Sequence, residues 1–453
     1  MNNHIKKKNN FLIFLFLYFT STSCIIEIPL KSIEVKDVTK YKNIKIKEIE
    51  DSKENNDFNQ IILIDEGNTK ISPSRLYLAT IKISSDEQTF NLVLDTGSQF
   101  LWVPKINSDD KNKLAHHFVP TSSSQDTEKI FKQEYGTGSC SGTYFKDIVK
   151  YINNKNFEFH FGVAIKTDFS VEGADGIIGL AHYYSDKSKS FIYRLYEEGI
   201  TDSKKFSFKF GENINSGQMG KLFIGKHDDF SSSDIVKCPL INTKDSYNIF
   251  WTCTLSKFGL KNSNNEINSS KSYNVIFDTG TNVIILPLYY LYEIQNKLNE
   301  FGCEIYQESG SKNYQLKCKK KTNSLPDFRF EINGNVLTVP QQYSFYSVDN
   351  QYSYSRIIFK DYDYYIIGSP FFFAFHTLFD EDEGNLYFHP ENRKYLEIGD
   401  ESSFSASDVA AIIIIIIVIL LLAFIIYYII KWRRAKRILE ENFPQSNYAF
   451  YNN

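Results

Sequence analysis

Apolar residues recur along the chain in short runs separated by glycine, asparagine, aspartate and serine. Between residues 71 and 390 these runs include LYLATIKI, TFNLVL, FEFHFGVAI, FSFKF, LFIG, FWTCTL, VIFDTG, FRFEI and YYIIG. Short runs rich in Val, Ile, Phe and Tyr with turn residues between them are typical of β-strands. The best helical signals are SFIYRLYEEG (190–199) and LYYLYEIQNKLNEFG (288–302), which both end at Gly. The pattern predicts a mainly β fold.

Two further apolar segments lie outside this region, one near each end of the chain. The first, at 11–19, follows three lysines and precedes small residues, which is the order of a secretory signal peptide, predicted at 1–24. An uncleaved signal anchor is the alternative. The second, Val409 to Ile430, is an unbroken run of 22 apolar residues, which is long enough to span a bilayer as a helix.

The charges that flank the second segment predict its orientation. Basic residues follow it at once in KWRRAKR, whereas acidic residues precede it. The positive-inside rule therefore places the tail, 431–453, in the cytosol and residues 25–408 outside the cell or in a lumen. This arrangement predicts a single-pass type I membrane protein of the secretory or endolysosomal pathway or the cell surface, with membrane lipid around one span. The net charge of −3 gives no indication of a nucleic-acid partner.

Two polar segments connect these parts to the β region. The segment at 25–70 begins with many Lys and Glu residues and few aromatic ones. It is either a disordered stalk or a pro-segment that is removed on maturation. The segment at 392–408 is Ser-rich and predicts a stalk that leads to the membrane span.

The six cysteines fit an oxidising compartment. Cys303 and Cys318 flank a short polar stretch, which favours a local disulfide. Cys238 and Cys253 bracket the turn-rich stretch INTKDSYN, and we expect them to face each other across a hairpin. Cys24 lies at the end of the predicted signal peptide, so these pairings leave Cys140 without a partner.

One sequence pattern occurs twice in the β region. NLVLDTGSQFLWVP (91–104) is echoed by NVIFDTGTNVIILP (274–287), and the two Asp positions lie 183 residues apart. Each copy is an apolar strand, then Asp-Thr-Gly-Ser/Thr, then a second apolar strand that ends in Pro. A hairpin turn explains one copy of Asp-Thr-Gly, but it does not explain two copies in the same context. The repeat therefore indicates chemistry at Asp95 and Asp278.

The flanking apolar strands predict that both Asp side chains are partly buried, and a buried carboxylate needs hydrogen-bond donors. Gly97 and Gly280 allow close approach of the backbone and supply N–H groups. The remaining loop residues carry hydroxyls suited to this role: Thr96, Ser98, Thr279 and Thr281.

If the two halves pack about a pseudo-twofold axis, the two carboxyl groups meet and share one proton. One can then act as a general base on water while the other polarises a carbonyl. This chemistry predicts peptide hydrolysis by Asp95 and Asp278 without a metal or a cofactor.

These motifs resemble those of the pepsin-type aspartic proteases over about residues 71–390. The two Asp-Thr-Gly motifs match the active-site loops of that family, and Trp102 stands at its Trp position. The family's flap motif matches Tyr135-Gly136-Thr137-Gly138-Ser139. Its apolar-apolar-Gly motifs match Ile177-Ile178-Gly179 and Ile366-Ile367-Gly368.

The resemblance implies a bilobal β fold with pseudo-twofold symmetry, with lobes at 71–240 and 241–391. It implies a polypeptide substrate held under a flap by Tyr135, Gly136 and Thr137 and by the loop residues Gly97, Gly280 and Thr281. It also implies that Tyr135 bonds toward Trp102 and that Cys303 and Cys318 form a disulfide. IEIPLKSI (26–33) resembles the start of a family pro-segment, which favours the zymogen interpretation.

The chain departs from the family pattern in a few places. Gln99 and Asn282 follow the two active-site motifs where Ser or Thr is usual, and Ser369 replaces a common Asp. These positions bear on subsite preference and on pH optimum.

A catalytically inactive, protease-like binding ectodomain is the alternative function, although both Asp motifs and Tyr135 are intact. The stretch GSCSG (138–142) resembles a nucleophile elbow, but the TYFKDIV that follows it predicts a strand and not the required helix.

Overall fold

The computed structural model describes residues 26–35, 74–110, 114, 116–135, 138–150, 156–168, 174–182, 189–210, 220–225, 230, 233–241, 250–261, 273–307, 313–319, 324–347, 351–361, 365–398 and 406–442. The signal peptide predicted at 1–24 lies outside the described residues, as does all of the predicted pro-segment except its strand at 26–35.

The strands follow one another closely between residues 74 and 398. In chain order they are β1 (Ile26–Val35), β2 (Ser74–Ile83), β3 (Gln88–Asp95), β4 (Trp102–Asp110), β5 (Gln125–Tyr135), β6 (Gly138–Lys150), β7 (Asn156–Thr167), β8 (Gly176–Gly179), β9 (Lys205–Lys209), β10 (Lys221–Ile224), β11 (Val236–Pro239), β12 (Thr252–Leu255), β13 (Lys257–Leu260), β14 (Tyr273–Phe277), β15 (Ile284–Pro287), β16 (Cys303–Gln307), β17 (Tyr314–Cys318), β18 (Phe328–Ile332), β19 (Asn335–Val339), β20 (Phe345–Ser347), β21 (Ser353–Ser355), β22 (Ile357–Lys360), β23 (Tyr365–Ile367), β24 (Phe375–Asp380), β25 (Asn385–Pro390) and β26 (Leu396–Glu397). The mainly β prediction is confirmed.

Helices are few, as the sequence predicts. They are α1 (Phe191–Glu197), α2 (Leu291–Leu298), α3 (Gln341–Ser344), α4 (Ser369–Phe372) and α5 (Ala406–Asn442). The two helices predicted from sequence are confirmed as α1 and α2. Ser190 caps α1 by accepting a hydrogen bond from Tyr193 N. A short 3-10 turn, Asn299–Phe301, follows α2 and ends at Gly302, which has the positive φ of 67° that favours glycine.

The two strands that lead into the Asp-Thr-Gly loops are buried on both faces. In β3, Leu92 and Leu94 point into the main core, whereas Val93 joins a smaller cluster on the other face. In β14, Phe277 packs in the main core and Ile276 in a second small cluster. Because both faces are covered there, the last residues before each loop, Leu92–Leu94 and Val275–Phe277, are continuously apolar and do not alternate with polar residues.

The strands form three sheets. The first has the order β11-β25-β24-β9-β10-β1-β2-β3-β8-β4-β7-β6-β5. The second has the order β12-β14-β23-β15-β22-β17-β21-β20, with β16 paired to β17. The third has the order β13-β18-β19-β26. Late strand β24 pairs with β9, and β25 pairs with β24, so the end of the second half completes a sheet of the first half.

The two copies of the repeat have the same local topology, which agrees with the pseudo-symmetry. In the first half, β3 runs parallel to β8, and β4 pairs antiparallel with β8. In the second half, β14 runs parallel to β23, and β15 pairs antiparallel with β23. Each central strand thus separates the two strands that carry an Asp-Thr-Gly loop between them.

Two disulfides lie in the described residues. Cys303 and Cys318 face each other across the β16–β17 hairpin, which confirms that prediction. Cys238 and Cys253 are also bonded. Because β11 pairs with β25 and β12 pairs with β14, the second bond joins two different sheets, and the predicted hairpin between these cysteines is wrong. Cys140 is buried and has no disulfide partner.

The contacts divide the chain into one unit that ends at Ile398 and a second at Gly399–Asn453. The second unit contains α5. Among the residues that the structure describes, no helix combines the length and hydropathy needed to cross a bilayer. The membrane span predicted at 409–430 therefore stays a prediction from the sequence.

Candidate active site

The two Asp-Thr-Gly loops meet, and their threonines interlock. Thr96 N donates to Thr279 Oγ1 at 3.1 Å, and Thr279 N donates to Thr96 Oγ1 at 2.9 Å. Each hydroxyl then donates to the strand on the opposite side, Thr96 Oγ1 to Phe277 O and Thr279 Oγ1 to Leu94 O, both at 2.9 Å. We call these four bonds the threonine lock. It is symmetric and buried, and it fixes the ends of β3 and β14 relative to each other.

The lock brings the Asp95 and Asp278 side chains together at the centre of the site. Both are almost fully buried, with 4% and 2% of their surface exposed. Gly97 N donates to Asp95 Oδ1 at 2.8 Å, and Gly280 N donates to Asp278 Oδ1 at the same distance. Each carboxyl group therefore takes a backbone N–H from the glycine of its own loop.

The two glycines leave the space that each loop needs for the opposite carboxyl group. A Cβ on Gly97 would lie 2.9 Å from Asp278 Oδ1 and Oδ2, and a Cβ on Gly280 would lie 2.5 Å from Asp95 Oδ1. Any other residue at either position would push against the carboxyl group of the other half. The spacing between the carboxyl groups therefore depends on both glycines.

Burial raises the pKa of the Asp95 carboxyl above its ordinary value. Burial likewise raises the pKa of Asp278 well above that value, and the adjacent Asp95 charge raises it further. A shared site in which two carboxyl groups cannot both ionise easily keeps one proton. The pair therefore titrates as one unit.

The outer oxygens of the two carboxyl groups have different surroundings. Thr281 Oγ1 donates to Asp278 Oδ2 at 2.6 Å. Its counterpart Ser98 Oγ is buried beside the Asp95 carboxyl, and its interaction with that carboxyl lowers the pKa of Asp95 against the larger effect of burial.

The predicted flap is the hairpin of β5 and β6. Tyr135 ends β5, and its hydroxyl accepts a hydrogen bond from Trp102 Nε1 at 2.7 Å, as the resemblance implies. Burial raises the pKa of the Tyr135 phenol well above its usual value, so the hydroxyl keeps its proton. Gly136 and Thr137 lie outside the described residues.

The strand predicted after GSCSG is confirmed as β6, so this stretch is not a nucleophile elbow.

The apolar-apolar-Gly motifs lie directly beneath the loops. A Cβ on Gly179 would lie 2.4 Å from Phe100 N, and a Cβ on Gly368 would lie 2.3 Å from Thr281 O. Ser369 follows the second motif, and its N and Oγ both donate to Thr281 O, at 2.8 and 3.1 Å. The serine that replaces the family's usual Asp therefore supports the second loop from below.

Two residues near the site were not singled out from the sequence. Asp175 is fully buried just before β8 and accepts from Asn91 N at 2.7 Å and from His116 N at 3.0 Å. Trp251 is buried and donates from Nε1 to Leu180 O at 2.8 Å. Two features of the sequence could have indicated them. Asp175 is an acidic residue directly before GIIG, and Trp251 is one of only three tryptophans in the chain.

Comparisons with known proteins show a family match over most of the β region. A family model described as eukaryotic aspartyl protease matches residues 76–390. A vacuolar protease A of Arthroderma otae is 28% identical over 278 residues, which cover 59% of this chain and 65% of that protein. A gastricsin of Mus musculus is 27% identical over 268 residues, which cover 57% of this chain and 65% of that protein. The chain thus spans just under two thirds of the length of these curated relatives.

Proposed function

Because the chain belongs to the eukaryotic aspartyl protease family, we propose that it is an aspartic endopeptidase in which Asp95 and Asp278 carry the reaction. One observation carries the proposal. Each carboxyl group fits only because a glycine of the opposite loop has no Cβ, so the two halves are built around a carboxyl pair.

The surroundings of the pair suggest a role for each Asp. Asp278 keeps the shared proton, because burial and the neighbouring Asp95 charge raise its pKa well above the ordinary value. Asp95, the ionised partner, takes a proton from a water molecule as the water oxygen attacks the scissile carbonyl carbon. Asp278 donates its proton to the carbonyl oxygen, which gives a neutral tetrahedral diol. Asp95 then returns its proton to the leaving nitrogen as the C–N bond breaks, while Asp278 recovers a proton from the diol.

The substrate is an extended polypeptide that lies between the carboxyl pair and the flap. Tyr135, held by Trp102 at 2.7 Å, would cover it from above. Gly136 and Thr137 at the flap tip would supply backbone contacts. Thr281, which already donates to Asp278 at 2.6 Å, would line the cleft on the other side.

The entry of the chain into the secretory pathway and its anchoring in the membrane are part of the same proposal. We infer a signal peptide at 1–24, a pro-segment at 25–70 and a type I membrane anchor at 409–430. The two disulfides in the described residues support an oxidising compartment, and the name vacuolar protease A of a relative supports the secretory route. Strand β1 supports the pro-segment, because it pairs with both β10 and β2 in the first sheet. Carbonate extraction of membranes tests the anchor: the full chain should stay in the pellet, and a chain that ends at residue 408 should not.

The catalytic test uses the full chain in detergent and an internally quenched peptide at acidic pH. Wild type should cleave the peptide, and a peptide isostere with a hydroxyl in place of the scissile bond should inhibit it. Asp95→Asn and Asp278→Asn should each lower kcat by at least about 10³-fold, because each removes one proton-transfer group. Asp126→Asn, at an exposed position on β5, is the matched control and should keep full activity. A folded, processed wild type without activity would refute the proposal and favour a binding ectodomain.

A further inference from the structure

The first active-site loop rests on the backbone that follows β8. Leu180 N donates to Asp95 O at 2.8 Å, and Ala181 N donates to Ser98 O at 2.9 Å. The N–H of Ala181 and the C=O of Leu180 belong to one planar peptide group, in which they point in opposite directions. We call this group the floor peptide. Its N–H holds the backbone of the Asp95 loop, and its C=O faces away from that loop.

The C=O of the floor peptide is bonded to a residue of the second half of the chain. Trp251 Nε1 donates to Leu180 O at 2.8 Å. Trp251 directly precedes β12, and its own carbonyl oxygen accepts from Phe277 N at 2.9 Å. Phe277 is the last residue of β14 and stands next to Asp278. We call these two bonds the tryptophan bridge, because they join the support of the first loop to the strand that carries the second.

The tryptophan bridge and the threonine lock meet at Phe277. Thr96 Oγ1 donates to Phe277 O at 2.9 Å, while Phe277 N donates to Trp251 O. The hydrogen bonds therefore close a ring, which runs from Asp95 through Leu180, Trp251, Phe277 and Thr96 back to Asp95. Because the ring is closed, the position of one loop relative to the other depends on all of its bonds.

Packing fixes the place of the indole in this ring. Trp251 is buried and makes edge contacts with Phe206 and Phe379, whose ring centroids lie 5.6 and 5.1 Å from its own. His182 packs against it at 4.9 Å. Leu180 is also buried, so bulk water does not replace the indole N–H as the donor to its carbonyl group.

The second active-site loop has a different kind of support. Ser369 follows Gly368 as Leu180 follows Gly179, and its own N and Oγ both donate to Thr281 O. The second loop is thus supported by a side chain of the adjacent motif. The support of the first loop is instead bonded to a side chain 71 positions away, which belongs to the other half.

We propose that Trp251 is a positioning residue for the carboxyl pair, an inference that rests on the proposed function. It acts through the floor peptide and Phe277, which fix the backbones of Asp95 and Asp278 at the spacing that proton transfer requires. Loss of the indole N–H leaves the floor peptide without this donor, and the Asp95 loop shifts relative to Asp278. The flap is untouched, so turnover falls while substrate binding does not.

The test removes the N–H and keeps the shape of the side chain. Benzothienylalanine, a tryptophan isostere with sulfur in place of the indole N–H, replaces Trp251 in the full chain, and the hydroxyl isostere inhibitor titrates the active sites. We expect kcat per active site to fall about tenfold with KM unchanged, since a displacement of about 1 Å would cost about 10²-fold. The same replacement at Trp432, which is exposed on α5, is the matched control and should leave kcat unchanged.

A double variant with Thr96→Val separates positioning from a general loss of stability. If Trp251 and Thr96 hold the loops through one ring, their effects on kcat are not independent. The double variant should then lose at least about threefold less than the product of the two single losses. Two losses that simply multiply would mean that the tryptophan bridge and the threonine lock act separately, which would overturn the proposal.

Hydrogen exchange gives a measurement that does not depend on activity. Backbone amides at 95–98 and 179–181 should exchange faster in the benzothienylalanine variant at 251 than in wild type, and at the wild-type rate in the variant at 432. A wild-type kcat per active site or unchanged exchange at 251 would also overturn the positioning role. An inactive wild type would instead count against the proposed function, and the exchange would still decide whether Trp251 supports the Asp95 loop.

Discussion

Replacing Thr96 by valine removes one hydroxyl from the threonine lock and changes the shape of the side chain very little. In the structure this hydroxyl accepts from Thr279 N and donates to Phe277 O, both at 2.9 Å. Thr96 is fully buried, so water cannot replace either bond. A buried backbone group that loses its partner costs about 1–3 kcal/mol. Two such groups predict that Thr96→Val loses about 2–4 kcal/mol of unfolding free energy after partial relaxation.

Urea unfolding of the full chain in detergent, with the disulfides intact, measures this loss. A domain of ordinary stability has an unfolding free energy of about 5–15 kcal/mol, so the variant should remain folded in buffer. Thr96→Ser is the matched control, because it keeps the hydroxyl and loses only a methyl group. Its stability should stay within about 1 kcal/mol of wild type. If valine and serine variants unfold at the same urea concentration, the lock does not hold the two halves together as described.

The same variant should also affect turnover. The lock joins the ends of β3 and β14, where Asp95 is the last residue of β3 and Asp278 directly follows β14. A displacement of about 1 Å at a reacting group costs about 10²-fold in rate. We therefore expect kcat of Thr96→Val to fall by about 10-fold to 10²-fold, with Thr96→Ser close to wild type. Full activity in the valine variant would contradict this positioning role.

Three further predictions concern the carboxyl pair and the flap. Gly280→Ala places a Cβ 2.5 Å from Asp95 Oδ1 and should lower kcat about 10²-fold in the peptide-cleavage assay. Asp278→Asn should stabilise the protein at neutral pH and not near pH 3, as measured by urea unfolding at both pH values. A carboxyl whose folded pKa is raised contributes stability below its unfolded pKa, and this stability is lost as the pH rises through the folded pKa. Tyr135→Phe removes the acceptor that Trp102 Nε1 contacts at 2.7 Å and should cost about 1–3 kcal/mol of unfolding free energy.

Each of these three has its own check. Gly334→Asn is the control for the alanine, because a Cβ there meets nothing within 4 Å, and equal losses in both variants would rule out a specific clash. An Asp278→Asn protein whose stability follows the wild-type pH dependence would show that Asp278 does not hold the proton. A Tyr135→Phe variant that unfolds with wild type would show that the bond to Trp102 contributes nothing to the folded state.

Much of the fold was predictable because its signals are local. Strands such as β7 and β18 and helices such as α1 and α2 are visible as short runs with turn residues at their ends. The Cys303–Cys318 bond was also local, since it closes one hairpin. The Cys238–Cys253 pairing is also confirmed, but the hairpin expected around it is wrong, because its two strands pair with β25 and β14 and strand partners distant in sequence leave no local pattern.

The sequence by itself determined which residues the site contains. Asp-Thr-Gly occurs at Asp95 and again at Asp278. Within each copy the Asp and the Gly lie two positions apart, so a short stretch of sequence is enough to predict the proposed chemistry. Only the tertiary structure decided how these residues act on one another. The crossed bonds of Thr96 and Thr279 and the clash that each glycine avoids join residues that are between 181 and 185 positions apart. The contact of His182 with Glu381 likewise depends on β24 returning to the first sheet, a long-range pairing that no short stretch of sequence specifies.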